Sequence, residues 1–73
     1  MKQEDIARKI WEANACDADW TNYDRVDDYC ISCSIKLDID GYMFEGEGQI
    51  VGADKEIVYV NCTCPDGTVV RVA

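Results

Sequence analysis

The hydrophobic pattern divides the chain into a helical beginning and a sheet-forming remainder. Within residues 4–15, apolar side chains recur at intervals of three and four, which is the spacing of an amphipathic helix. The apolar positions are Ile6, Ala7, Ile10, Trp11 and Ala13. Glu4 and Asp5 lie four residues before Arg8 and Lys9, so both pairs can interact on the polar face. The sequence therefore predicts an N-terminal helix with one buried face.

Apolar and polar residues alternate from Ile31 to Ile39, which is typical of an antiparallel strand with one buried face. Asp40-Gly41 follows directly, and this dipeptide favours the positive backbone angles of a two-residue hairpin turn. Such a turn fixes the register, which sets Lys36 opposite Glu45 on the outer face. The predicted inner pairs are Ile39–Tyr42, Leu37–Phe44, Ile35–Gly46, Cys33–Gly48 and Ile31–Ile50.

Two glycines, Gly46 and Gly48, fall on the inner face of this hairpin. Glycine weakens a strand unless another group closely approaches its backbone. We expect the N-terminal helix to make that approach through Ile6 and Ile10.

Residues 56–64 are predicted to form a third strand after a turn at residues 52–55. Because Asn61 and Thr63 suit solvent, the alternate residues should face inward. These are Val58, Val60, Cys62 and Cys64. A four-residue turn would give the opposite phase, so a five-residue turn or a bulge is required, and both remain open. A turn at Pro65-Asp66-Gly67 then leads into a last strand over residues 68–72, with Val70 and Val72 inward.

The predicted fold class is α+β, with one N-terminal helix packed on a four-stranded antiparallel meander. A chain of 73 residues forms one domain at most, here residues 1–73, and 48% apolar residues suffice for a core. No apolar run reaches the ~18 residues that a membrane helix needs, and the N-terminus lacks the apolar segment of a signal peptide. We expect a soluble cytoplasmic protein that is a monomer or a weak homodimer.

The charge favours one class of partner. Fifteen acidic and seven basic residues give a formal net charge of −8. Nucleic acids and anionic membranes are disfavoured, because both attract basic proteins. The expected partner is a protein with a Lys/Arg-rich surface, although the charge can also serve solubility alone.

Five cysteines form the most motif-like group in the sequence, as Cys30-x-x-Cys33 and Cys62-x-Cys64 with Cys16 apart. An odd count without an export signal argues against a disulfide framework. A zinc site is disfavoured because residues three apart in a strand point to opposite faces. Reduced thiols packed as small apolar side chains are the favoured interpretation, and zinc or disulfides remain alternatives.

No catalytic constellation is present in the sequence. The chain has no histidine, which removes cysteine–histidine pairs, serine triads and histidine metal ligands. Gly46-Glu47-Gly48 lacks the remainder of a phosphate loop, and Asp38-x-Asp40-Gly41 departs from the spacing of a calcium loop. We expect a non-enzymatic protein that needs no cofactor or metal.

Residues 16–28 have no sustained period and are predicted to form an ordered acidic loop that binds the partner. Aspartates can steer a cationic protein, and aromatic residues can anchor it. The candidate partner-binding residues are Asp17, Asp19, Trp20, Tyr23, Asp24, Asp27 and Asp28. Alternatively, Trp20 and Tyr23 close one end of the core while the aspartates are only solvated. In that case we expect the interface on the outer sheet face, around Met43, Glu45 and Glu47.

In size, charge and layout the chain resembles the small acidic, phage-encoded inhibitors of bacterial defence, the anti-CRISPR proteins and related DNA mimics. The resemblance lies in helix 4–15, the turns at Asp40-Gly41 and Pro65-Asp66-Gly67, and the acidic stretch 17–28. It implies an inhibitor, located in the host cytoplasm, that blocks the basic nucleic-acid-binding surface of a defence complex. The alternative is a non-catalytic structural or interaction module, such as a phage accessory protein or an antitoxin-like subunit, whose charge serves only solubility.

Overall fold

The computed structural model describes residues 2–73 and contains one helix and one sheet. Helix α1 spans Gln3–Asn14 and ends in a short 3-10 turn, Ala15–Asp17. The strands are β1 (Asp19–Arg25), β2 (Cys30–Ile39), β3 (Tyr42–Val51), β4 (Asp54–Thr63) and β5 (Val69–Arg71). They form one antiparallel sheet in chain order. The predicted α+β class and N-terminal helix are confirmed, but the sheet has five strands and the prediction of four is wrong.

The additional strand is β1, which lies within the segment predicted as an acidic loop. Trp20 pairs with Ile35, but Asn22 and Tyr23 together lie opposite the single residue Cys33, which is a β-bulge. Asn22 adopts a positive φ of 54°, which asparagine tolerates better than most residues. The bulge breaks the period of two that would have indicated a strand. As an edge strand, β1 is also largely exposed on both faces.

The β2–β3 hairpin confirms the predicted register at every pair, from Ile39 opposite Tyr42 to Ile31 opposite Ile50. Asp40 and Gly41 have φ angles of 50° and 83°, the left-handed values that a two-residue turn of this kind requires. A chain composed of alternating apolar and polar residues around such a turn can bury one face in only one register.

The β3–β4 connection settles the phase that the sequence left open. Val51 pairs with Asp54 across a two-residue turn, and the pairing slips by one residue at a bulge that contains Val58. The bulge is therefore the correct alternative, and it turns Val60 and Cys62 inward, where both are fully buried. The prediction that Val58 faces inward is wrong: the side chain is 49% exposed, because the bulge leaves it outside the alternation.

The β4–β5 turn is held by its aspartate. The Asp66 Oδ1 accepts the backbone N–H of Thr68 at 2.9 Å, and this hydrogen bond lowers the pKa of the carboxyl group from its usual range. The last strand follows the predicted phase, since Val72 is buried and Val70 packs against the core.

The core lies between α1 and one end of the sheet. The Trp11 and Phe44 rings are 5.6 Å apart between centroids, and Ala7 is completely buried beside them. The Tyr42 hydroxyl donates a hydrogen bond of 2.8 Å to the Gln3 side chain. Ala13, predicted on the buried face, is exposed because the helix turns its Ala7–Trp11 side toward the sheet. The buried cluster comprises Ala7, Trp11, Ile35, Tyr42, Phe44, Val60, Cys62, Cys64 and Val72.

The two inner-face glycines are explained by close approach, but not by the helix. A Cβ on Gly46 would collide with the carbonyl oxygen of Tyr59 and lie 2.8 Å from the Val60 Cα, both on β4. A Cβ on Gly48 would collide with the Trp20 indole and lie 3.0 Å from the Glu56 carbonyl oxygen. The expectation that Ile6 and Ile10 of α1 approach these glycines is therefore wrong.

The helix divides the elongated molecule, which measures 43 × 19 × 16 Å, into two halves. The helix-covered half, defined as α1 with residues 35–46 and 60–72, contains the whole buried cluster. The open half, defined as residues 21–32 and 49–58, contains no buried residue. Trp20, Cys33 and Gly48 lie at the boundary between the halves.

The two edges of the sheet are both irregular. Strand β1 carries the bulge and the charged side chains of Asp19, Asp24 and Arg25. Strand β5 has three residues, and the Arg8 guanidinium donates a 3.3 Å hydrogen bond from α1 to the carbonyl oxygen of Arg71. Within residues 2–73, no helix is long and apolar enough to cross a membrane.

Candidate functional site

Strand alternation places seven exposed carboxylates on the sheet face opposite α1. Residues paired across a ladder share a face, and these residues are out of phase with the buried Ile35, Phe44 and Val60. We call this group the acidic face: Asp19, Asp24, Asp38, Glu45, Glu47, Asp54 and Glu56. The same face carries two basic residues, Lys36 on β2 and Arg71 on β5.

The carboxylates of the acidic face are not neutralised by neighbouring bases. Across residues 2–73, the ion pairs within 4.0 Å are Arg8–Glu4 at 2.9 Å and Arg25–Asp28 at 3.8 Å. Lys36 is opposite Glu45 in the ladder, as predicted, but does not form an ion pair with it at that distance. The predicted Asp5–Lys9 pair is likewise not formed. The face therefore presents a field of uncompensated negative charge.

The predicted partner-binding residues do not lie on a single surface. Asp19 and Asp24 belong to the acidic face, where they are opposite Lys36 and Ser32. Asp17 is exposed in the 3-10 turn after α1. Tyr23, in the β1 bulge, is 59% exposed and remains available to a partner.

Trp20 points to the opposite side of the sheet from Asp19. Its indole lies over Gly48 on the inner face, and the Lys55 ammonium lies 5.4 Å from the ring centroid, a cation–π contact. The residue is half-buried and packs against the edge of the core. This placement agrees with the alternative interpretation of Trp20, in which it closes one end of the core.

Asp27 holds the β1–β2 loop. Its Oδ1 accepts the backbone N–H groups of Tyr29 at 2.7 Å and Cys30 at 2.8 Å. This is the local hydrogen bonding by which aspartate stabilises turns. Asp28 pairs loosely with Arg25, and both of those side chains are well exposed. Within this loop, Asp28 is therefore freer to bind a partner than Asp27.

The carboxylates of β2, β3 and β4 were not among the candidate partner-binding residues predicted from the sequence, although Glu45 and Glu47 were expected to line the alternative interface. The outward position of these carboxylates could be predicted, because the alternation that turns Ile31, Ile35 and Leu37 inward turns the intervening residues outward. The prediction lacked strand β1, whose pairing with β2 places Asp19 and Asp24 on the same sheet face as Glu45 and Glu47.

A shallow depression of about 360 Å³ lies on the acidic face. Its floor is the backbone at Ile35 and Gly46, and its walls include Glu45, Glu47, Tyr59 and Asn61. Tyr59 is directly opposite Glu47 and Asn61 is directly opposite Glu45. The depression therefore combines two carboxylates, an aromatic ring and an amide.

No protein-family model, curated protein or solved structure matches this chain.

The cysteines are distributed over both faces and are all free thiols. Cys33, Cys62 and Cys64 are buried, as predicted, and Cys30 lies on the outer face with its Sγ 3.5 Å from the Gln49 Oε1. Burial, with a smaller effect of Cys64, raises the pKa of Cys62 to about 11, which keeps its thiol neutral. Within residues 2–73, no group of three or more His, Cys, Asp and Glu side chains is arranged to hold a metal ion.

Proposed function

We propose that this protein is a small, non-catalytic inhibitor that uses its acidic face to block a basic, nucleic-acid-binding surface of another protein. The observation that carries the proposal is the segregation of charge: seven exposed carboxylates share one sheet face with two bases, and α1 packs on the other side. Solubility alone does not require such an excess of acidic over basic residues on one face of the sheet.

Such a face suits a partner that itself binds nucleic acid. Proteins bind nucleic acids by placing Lys and Arg side chains against phosphates, which leaves a strongly positive surface when the nucleic acid is absent. A rigid sheet of carboxylates competes for that surface and is steered to it over distances of about 10 Å at ordinary salt. The protein thereby occupies the partner's binding surface without touching nucleic acid.

The resemblance to phage-encoded inhibitors of bacterial defence supports a narrower form of the proposal. In that form the partner is a defence complex with a Lys/Arg-rich nucleic-acid channel, and the protein acts in the cytoplasm of the host cell as a DNA mimic. The acidic face and Asp28 provide the negative charge, and Tyr23 provides an exposed aromatic anchor at the β1 edge.

The proposal is tested by removing charge from the acidic face without disturbing the fold. The test variant is Asp19→Asn/Asp24→Asn/Asp38→Asn, whose three side chains are exposed and form no ion pair within residues 2–73. The matched control, Asp5→Asn/Glu12→Gln/Asp40→Asn, removes the same charge elsewhere. Asp40 has a positive φ of 50°, which asparagine also adopts readily.

Each tagged protein is used to capture partners from a bacterial lysate at about 0.05 M and about 0.5 M salt, which changes the screening length from roughly 13 to 4 Å. We expect the wild type and the control to retain a nucleic-acid-binding protein at low salt, and DNA or RNA to displace it. The acidic-face variant should associate about tenfold more slowly with the identified partner, and high salt should reduce this difference.

Equal association rates for the two variants at low salt would refute the proposal. The protein would then be better described by the alternative from the sequence, an interaction module whose charge only maintains solubility. The inward position of Trp20 and the loop-holding role of Asp27 are the observations that favour this second function.

A further inference from the structure

The depression on the acidic face is lined by two parallel rows of side chains. On one side, Ser34, Glu47 and Tyr59 form a row across three neighbouring strands. On the other side, Lys36, Glu45 and Asn61 form the parallel row, and the backbone of Gly46 lies between the rows. The space of about 360 Å³ is open to solvent above the sheet and closed below it by the strands themselves.

The two glutamates provide negative charge on both sides of this space. Residues two apart on one strand face are separated by about 6.8 Å, so Glu45 and Glu47 can bind one ligand from two directions. Both side chains are exposed, and within residues 2–73 neither accepts a side-chain hydrogen bond or forms an ion pair. The carboxylate oxygens of both glutamates can therefore accept hydrogen bonds from a ligand.

Tyr59 adds an aromatic ring to the depression. Its ring is half-buried opposite Glu47, and directly paired side chains in an antiparallel ladder have Cβ atoms about 5 Å apart. A cation held by Glu47 is therefore brought against the ring. The Asn61 side chain, also half-buried, adds a neutral oxygen acceptor opposite Glu45.

A guanidinium group satisfies these features better than an ammonium group. It is planar, it stacks on aromatic faces, and it presents several N–H donors in one plane, which can reach two carboxylates and an amide oxygen together. An ammonium group is a compact and strongly hydrated charge, and it gains less from an aromatic wall.

We propose that this depression receives an arginine side chain of the partner protein and is the anchoring point of the acidic face. This inference rests on the proposed function, because it names the partner residue that the acidic face recognises. Lys36 is the internal competitor for the site, since it is opposite Glu45 on the adjacent strand and lines the depression.

The test uses the whole protein and small cations, so it does not depend on finding the partner. The probe is Nα-acetyl-arginine amide, added to the ¹⁵N-labelled protein while amide chemical shifts are measured. Nα-acetyl-lysine amide tests for a general ammonium effect, and Nα-acetyl-citrulline amide tests for a neutral molecule of the same shape. We expect saturable shifts at Glu47, Tyr59 and Asn61 with the arginine probe, and weaker affinity by about two- to fivefold with the lysine probe.

Three variants assign the contacts, and all substituted side chains are at the sheet surface. Glu47→Gln and Tyr59→Leu should each weaken binding of the arginine probe by about two- to fivefold. Lys36→Gln should strengthen it by a similar factor, about twofold or more, because it removes the internal competitor. Asp5→Asn, which removes one exposed charge from α1, should leave binding unchanged.

Three results would overturn the arginine site. They are chemical-shift changes spread over all exposed carboxylates, equal affinity for the arginine and lysine probes, and the absence of saturable shifts. An unaltered response of Glu47→Gln would do the same. These results leave the broader proposal standing, because its test uses Asp19, Asp24 and Asp38, which do not line the depression. Conversely, arginine binding in the depression would survive if those three aspartates proved irrelevant to partner capture.

Discussion

The helix-covered half and the open half of this protein share the three long strands β2, β3 and β4. The strands pack against a second layer only in the helix-covered half. In the helix-covered half, Phe44, Ile35 and Val60 are completely enclosed between α1 and the sheet. In the open half, the same strands continue without a second layer, and side chains such as Ile57 and Tyr29 remain 43% and 77% exposed. One half therefore provides most of the burial, and the other extends the surface.

The difference shows that a long strand need not be equally stable along its length. The β2–β3 hairpin is continuously paired from the Asp40-Gly41 turn to Cys30 and Val51. Backbone pairing continues into the open half. The apolar contacts that offset the loss of conformational entropy on folding are largely confined to the helix-covered half. The open half is thus held in shape chiefly by its attachment to the helix-covered half.

The largest expected effect comes from truncating matched apolar residues in the two halves. Phe44→Ala should lower the free energy of unfolding by about 3–5 kcal/mol, because it leaves a cavity against Trp11. Ile57→Ala, in the open half, should lower it by less than about 1 kcal/mol, because much of its side chain already contacts water. Urea unfolding followed by tryptophan fluorescence measures both. Similar costs for the two variants would show that the open half is as well packed as the covered half.

An intermediate effect is expected at the two inner-face glycines. Gly46→Ala and Gly48→Ala should each cost about 1–3 kcal/mol by overpacking. At Gly48 the flexible obstruction is Trp20, so adding Trp20→Ala should recover part of that cost. At Gly46 the obstruction is the β4 backbone at Tyr59 and Val60, so the same second change should recover nothing. A double-mutant cycle in urea gives both coupling energies, and equal coupling at the two glycines would contradict this assignment.

The smallest expected effect is a dependence on alkaline pH that originates in the helix-covered half. The folded pKa of Cys62 is raised from 9.0 to about 11, so the unfolded chain loses this proton first as the pH increases. The stability associated with the neutral thiol is fully present below pH 9 and is lost between about pH 9 and 11. Between about pH 8 and 10.5, the wild type should lose roughly 1–2 kcal/mol more than Cys62→Ala.

The burial of Tyr42 raises its pKa as well, with further contributions from Cys64, Cys62 and Asp66, so both proteins retain some alkaline sensitivity. Cys16→Ala is the matched control, because Cys16 is exposed and lies outside the sheet. Identical pH profiles for wild type and Cys62→Ala would show that the buried thiol is not responsible.

The elements that could be predicted from the sequence are those with an uninterrupted period. Helix α1 and the β2–β3 hairpin follow from regular spacing and from a turn dipeptide that permits a single register. The phase of β4 could be narrowed to a turn or a bulge, but not chosen, because Val58 suits either position. Strand β1 could not be recognised, since its bulge at Asn22 and Tyr23 removes the period and its exposure removes the apolar signal.

The failure to predict β1 also explains the wrong or incomplete predictions for the residues near it. Gly48 indicated a close approach, but the approaching group was Trp20, whose position depends on the pairing of β1 with β2. The aspartates at positions 19 and 24 were recognised as candidates, but their position on the same sheet face as Glu45 and Glu47 depends on the same pairing. A local pattern can predict which residues face outward, whereas the order of strands decides which of them become neighbours.

The irregular edges have a consequence for how copies of this protein behave when crowded together. An open sheet normally offers its outer strands as templates on which further chains can add, the route by which strands build fibres. Here the bulge at Asn22–Tyr23 interrupts β1, the outer strand at one border. At the other border, the outer strand β5 has only three residues and is contacted by Arg8. Residues 54–59 of β4 extend beyond β5 and form the rest of that border, where the bulge at Val58 interrupts the strand. Interruptions at both borders therefore disfavour the addition of further copies of the chain to this sheet.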